Sequence, residues 1–166
     1  MIRTAQAADL PAIAALHTRA RATYYQGHIP EQAYLGDAEL QRTREGWSRA
    51  ISRDAAEGGV LCAEQDGELT GVAAYRTQDG ETTLTQLHVD PVHWRHGTGA
   101  ALHAACVELW RRAGIDRVRL EVYEHNLRAR AFYATRGWLA DPSAPHAGTH
   151  VTLWLQLGDV PDPSGD

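Results

Sequence analysis

Two segments carry residue types whose spacing suits an anionic ligand. The first is Val89-Asp90-Pro91-Val92-His93-Trp94-Arg95-His96-Gly97-Thr98-Gly99-Ala100-Ala101-Leu102. It reads as a strand end, a glycine-bearing turn and a helix start. The opening turn of a helix presents unpaired N–H groups and the positive end of the dipole, which suits a phosphate. Glycines let backbone approach an anion closely, so Arg95, His96, Gly97, Thr98, Gly99 and Ala100 form the expected cradle. Alone, the same residues would also suit an ordinary strand-to-helix turn. The second segment, Asn126 to Trp138, reads as a short helix carrying Tyr133, closed by Gly137 and leading into a strand. Asn126 is a good helix N-cap. A phenol of pKa ~10 stays protonated at neutral pH and can donate a proton.

The elements that must position these segments follow from pattern. Ile2 to Thr4 suits a short strand. Asp9-Leu10-Pro11 opens a helix, with Asp near the cap, Pro in the first turn, and Leu10, Ile13, Ala14, Leu16 and Ala20 at helical spacing. Gly27 to Pro30 breaks it. A second helical region places Leu40, Trp47 and Ile51 on one face and is expected to end near Gly58-Gly59. A meander follows: Val60 to Gln65, the turn Asp66-Gly67, Glu68 to Thr77, the turn Asp79-Gly80, and Thr82 to Val89. The helix after Gly97 is expected to bury Leu102, Ala105, Cys106, Leu109 and Trp110, with Gly114 ending it. Asp116 to Tyr123 alternates Val118, Leu120 and Val122 as a strand. Trp138-Leu139 and Val151 to Leu157 supply two more strands. The order β, α, α, β, β, β, α, β, α, β, β is a mixed α+β arrangement.

The totals narrow the class. The 166 residues suit one domain, expected over 1–158, with 159–166 a disordered acidic tail. No apolar run approaches the ~20 residues of a membrane span. The first residues lack an apolar signal core, so a cytoplasmic protein is expected. Cys62 and Cys106 sit in apolar settings and read as buried, inert thiols. A net charge of -5 disfavours a nucleic-acid surface. Every basic residue is Arg, so the chain has no lysine of its own to acetylate. His88, His93, His96 and His103 cluster in sequence, but their spacing matches no metal site, and no metal is expected.

Taken together and in this order, the two segments resemble the signature motifs of the GCN5-related N-acetyltransferases, the GNAT family, which bind acetyl-CoA through its pyrophosphate. The likeness covers nearly the whole chain. It implies the GNAT fold: a central, mostly antiparallel sheet of six to seven strands flanked by about four helices. Gly97 and Gly99 match the family glycines, while Trp94 stands where Arg or Gln is usual. The resemblance assigns Leu87, His88 and Val89 to the pantetheine arm, Asn126 to the CoA arm, and Tyr133 to the leaving thiolate. The spacing from Asn126 to Tyr133 is the family's.

The resemblance also proposes a base. On the order of one in a thousand lysine-like amines is neutral at pH 7, so a proton must be removed. Glu121 matches the catalytic glutamate of ribosomal-protein N-terminal acetyltransferases in the family. The stretch Leu84-Thr85-Gln86-Leu87-His88 holds no acid, which leaves His88 as the alternative. The acceptor pocket implied by the likeness would be walled by Tyr24, Tyr25, His28, Trp47, His146 and His150, whose aromatics suit an amine or an aromatic substrate. The expected activity is acetyl transfer from acetyl-CoA to a primary amine of a small molecule, by direct attack in a ternary complex. A protein N-terminus or side chain is the alternative acceptor, and a non-catalytic acyl-CoA-binding module the alternative class. A monomer or homodimer is expected, with neither nucleic acid nor membrane as partner.

Overall fold

The computed structural model describes residues 1–144 and 148–158; His146 and the expected tail at 159–166 lie outside the described residues. The elements run β1 (Ile2–Thr4), α1 (Leu10–Tyr25), α2 (Gln32–Leu35), α3 (Asp37–Ser52), β2 (Gly58–Gln65), β3 (Glu68–Gln78), β4 (Glu81–Val89), α4 (Thr98–Arg112), β5 (Arg117–Tyr123), α5 (Leu127–Ala134), β6 (Leu139–Ala140) and β7 (His150–Gln156). This is a mixed α+β fold. The chain divides into two compact units, Met1–Cys106 and Val107–Asp166.

In the first unit β1 to β4 form an antiparallel run. Both expected turn pairs take the left-handed conformation a two-residue hairpin requires: φ is 52° and 80° at Asp66-Gly67, and 54° and 77° at Asp79-Gly80. One face of the run packs on α1 and α3. There Ile13 and Leu16 meet Trp47, Val60, Cys62, Val72 and Ala74 in one buried cluster. The other face receives the start of α4. A Cβ on Gly71 of β3 would stand 2.8 Å from Leu102 Cδ1 and 2.9 Å from Thr98 Cγ2, so the missing side chain is what lets α4's first turns lie on the strand. Burial pushes the Cys62 thiol up to about 11 and the Cys106 thiol up to about 12, so both stay protonated.

A bulge interrupts β4. Ala74 pairs with Gln86 and Tyr75 with Leu84, leaving Thr85 without a cross-strand partner. Its hydroxyl donates to the Ala74 carbonyl at 3.0 Å. The extra residue re-phases the strand. Thr82 and Leu84 share the face of Gly71 and Tyr75; beyond the bulge, Gln86 and His88 share the face of Val72 and Ala74.

Two sequence expectations need correction here. The second helix stops at Ser52, and Gly58-Gly59 open β2 instead of ending it. The four-residue α2 was not anticipated. Asp9 stands at the N-cap of α1, where it is expected; its carboxylate makes no bond into that helix and accepts from the Gln6 N–H at 2.7 Å and from both terminal nitrogens of Arg3.

In the second unit β7 pairs antiparallel with β5 and with β6. Val118, Leu120 and Val122 are buried as the alternation predicts. Gly114, at φ 71°, ends α4, with the Ile115 N–H returning to the Trp110 carbonyl at 3.0 Å. Along α4, Leu102, Cys106 and Trp110 are buried, but Leu109 is 37% exposed, against expectation. A strict four-residue step from Leu102 reaches Cys106 and Trp110 and leaves Leu109 at the edge of the stripe.

Candidate active site

The turn expected to cradle an anion is held from three sides. The Asp90 carboxylate accepts from the Val92 N–H at 3.3 Å and pairs with Arg19 of α1 at 2.6 Å. The Asp90 N–H donates to the Thr70 carbonyl of β3 at 2.9 Å. Trp94 turns its indole back to donate to the Val89 carbonyl at 3.1 Å. The residue at the position of the usual Arg or Gln therefore serves the turn's own shape. Beyond it the backbone is left-handed twice, with φ 66° at Arg95 and 80° at Gly97, and α4 begins at Thr98. Arg95, His96 and Gly97 are exposed. A non-glycine residue held left-handed is costly and clusters at ligand-binding loops. Exposed backbone of this kind, running into a helix N-terminus, is a fitting anion cradle.

At the end of β4, Leu87 and Val89 pair with Ala73 and Gly71 on the α4 face, while His88 points to the α1 face. There it stacks on His17, ring centroids 4.3 Å apart and planes 23° apart. Trp47 of α3 donates its indole N–H to His17 Nδ1 at 2.9 Å. His88 Nε2 lies 2.6 Å from Gln86 Oε1. Burial depresses both imidazoles, His17 to about 4 and His88 well below its usual range, with the Arg21 charge adding to both. His17 and Asp90 are the residues sequence reasoning passed over. His17 sits four residues after Ile13, inside the apolar stripe, and Asp90-Pro91 after a strand is a turn-cap signal.

The remaining acceptor-wall candidates of this unit are aromatic neighbours. Tyr24 and Tyr25 have ring centroids 4.6 Å apart, and Tyr25 lies 5.9 Å from Tyr34. Burial pushes the Tyr24 phenol well above its ordinary range. His28 is exposed, and Trp47 is buried in the core with its N–H engaged by His17.

The second unit carries the other motif. Asn126 caps α5, its Oδ1 accepting from the Ala129 N–H at 3.1 Å. Tyr133 is buried, with its ring edge-on to Phe132 at 5.4 Å and Trp138 at 5.6 Å. Glu121 lies on the exposed side of β5, opposite Thr152, and accepts from Arg119 Nη2 at 3.0 Å. His150 pairs with Tyr123 across β5 and β7, rings 5.8 Å apart. Among the described residues, no group of three His, Cys, Asp or Glu could hold a metal ion, and no helix is long and apolar enough to cross a membrane.

Comparison with known proteins bears on this arrangement. Mycothiol acetyltransferase of Clavibacter sepedonicus is 32% identical over 120 residues, 72% of this chain and 36% of that protein. Its namesake from Beutenbergia cavernae is 34% identical over 136 residues, 80% of this chain and 41% of that protein. The chain thus matches well under half the length of these relatives. Among solved structures, the PaiA N-acetyltransferase of Thermoplasma acidophilum in complex with coenzyme A superposes with a TM-score of 0.84 at 19% identity, over 94% of this chain and 98% of that one. The ribosomal-protein-S18-alanine N-acetyltransferase of Escherichia coli gives 0.68 at 20% identity, over 98% and 97%. At such identities the likeness is one of fold. The model of the acetyltransferase (GNAT) family matches residues 13–138, from inside α1 to the residue that follows the second motif's glycine. A match of that extent, running through both motifs, establishes that this chain belongs to the GNAT family of acetyltransferases.

Proposed function

We propose that the chain transfers the acetyl group of acetyl-CoA to a primary amine of a small molecule, by direct attack in a ternary complex. The observation that carries this is the exposed turn with left-handed Arg95 and Gly97 leading into α4. Its N–H groups, with those of Thr98, Gly99 and Ala100, would hold the pyrophosphate. Leu87, His88 and Val89 would align the pantetheine arm, and Asn126 would donate to it through its side-chain amide. The amine nitrogen bonds to the thioester carbon, a backbone N–H of β4 stabilises the oxyanion, and the C–S bond breaks. Tyr133 hands its proton to the departing sulfur. Glu121 takes the amine's proton, directly or through water. The burial of His88 and its stack on His17 count against the alternative base.

Relatives named for mycothiol favour a small-molecule acceptor over a protein. Tyr24, Tyr25 and His28 are the proposed acceptor wall in the first unit, and His150 in the second. Calorimetric titration with CoA, followed by thiol release with a panel of amines and peptides, tests the proposal. Micromolar CoA binding and amine-dependent thiol release are expected. Binding without release for any acceptor would point to the non-catalytic module, and release with peptides alone to a protein acceptor.

A further inference from the structure

α1 grips the end of β4 at two points. Arg19 pairs with Asp90, and His17 lays its ring on that of His88. The second grip has a chemical constraint built in. An indole N–H only donates. Since Trp47 donates to His17 Nδ1, that nitrogen must carry a lone pair, and the ring's proton is confined to Nε2. A proton on Nδ1 would set N–H against N–H. The surroundings agree. Arg21 of α1 and Glu39 of α3, the charges that act on His17, are paired with each other at 2.7 Å. From β4, the His88 ring stacks on His17, and the hydrogen-bond partner of His88 is the neutral Gln86.

Packing alone would be served by two apolar rings, without the desolvation that buried imidazole nitrogens cost. The hydrogen bond from Trp47 instead fixes the plane of His17, and the stack fixes His88 upon it. His88 lies between Leu87 and Val89, whose own positions are set on the opposite face by the bulge at Thr85. We infer that His17 is a positioning residue for acetyl transfer: oriented by Trp47, it holds His88 as a neutral ring and so fixes the Leu87–Val89 backbone that aligns the thioester. The inference rests on the proposed transfer for what β4 aligns.

Long-range nitrogen–proton NMR of the full chain reads the lock directly. His17 should keep the Nε2–H form from about pH 8 down to about pH 5, where a free imidazole would have titrated. His17→Phe keeps a ring but removes the acceptor; it should lower kcat ~10-fold or more with KM for acetyl-CoA little changed, as misalignment does. His17→Gln, whose amide oxygen can accept the indole N–H, should recover part of the loss, and it replaces the Phe variant if that one does not fold. Trp47→Phe frees Nδ1. It should add an acid-side fall in kcat with a midpoint between about 5 and about 6.5, absent from the wild type. Wild-type kcat in these variants at every pH, with only a lower Tm, would reduce His17 to packing. Titration of wild-type His17 near its ordinary pKa would overturn the lock. A wild type that neither binds CoA nor releases thiol would sink the transfer reaction instead, and the NMR would still report on the pair.

Discussion

The indole N–H of Trp94 donates to the carbonyl of Val89 across 3.1 Å, so the turn between β4 and α4 is closed by its own side chain. Trp94→Phe keeps the ring and removes the donor. A neutral hydrogen bond contributes ~1 kcal/mol, so CoA affinity should fall about 5-fold by calorimetry. An unchanged affinity would mean that Asp90 holds the turn unaided.

Gly71 governs how closely α4 approaches β3. Its missing Cβ would meet the ends of Thr98 and Leu102 and lie 3.2 Å from the His88 carbonyl, so even one methyl forces a small shift. Gly71→Val adds branches that must displace α4's first turn. A loss of ~1–3 kcal/mol in stability is expected from overpacking, with weaker CoA binding than in Gly71→Ala. Denaturant melts and calorimetry on the pair of variants check both halves.

Tyr133→Phe retains the ring that packs on Phe132 and Trp138. If the phenol protonates the leaving thiolate, turnover falls ~10²-fold or more while CoA affinity holds. Full turnover in the Phe variant would leave Tyr133 as a packed core ring.

Glu121→Gln should lower turnover most at neutral pH. The loss should shrink as pH nears the amine's own pKa, because solution then supplies the neutral nucleophile. The Arg119 partner is already engaged with this carboxylate at 3.0 Å. An impairment by the same factor at all pH values would therefore assign Glu121 to holding Arg119.

Stability should fall with pH through His17. The unfolded imidazole binds a proton near 6.5, whereas the folded one resists until about 4. Between those values the unfolded state carries the extra proton, so stability present at neutral pH is lost as pH drops, by on the order of 3 kcal/mol at pH ~4. Urea midpoints measured from neutral to acid pH should decline less steeply in His17→Gln than in the wild type. Parallel declines would assign the acid sensitivity to His88, whose pKa burial also lowers, or to carboxylates such as Asp9 beside Arg3.

The parts of the fold written in local chemistry were legible. The two Asp-Gly turns, the glycine closing α4 and the Asn126 cap each depend on residues adjacent in sequence. The misread parts depend on tertiary context. Gly58-Gly59 look like a helix terminator but begin a strand, and Leu109 looks buried but sits at the stripe's edge. Thr85 gives no signal of a bulge, because a β-former suits either register. His17 reads as an ordinary stripe residue until Trp47 and His88 arrive from α3 and β4.

The bulge at Thr85 also says which kinds of inherited change this chain would tolerate. Its side chain is exposed, so most single-letter replacements there should pass unnoticed. Loss of the codon should keep the pairing as well. With one residue fewer, Gln86 follows Leu84 directly and still meets Ala74, so Leu87, His88 and Val89 keep their partners and their faces, and only the local bend is lost. A residue added between Gln86 and His88 is the change that lineages of this protein must avoid, because it turns His88 to the α4 face. A library that pairs deletion at Thr85 with insertion after Gln86 should show the two effects diverge.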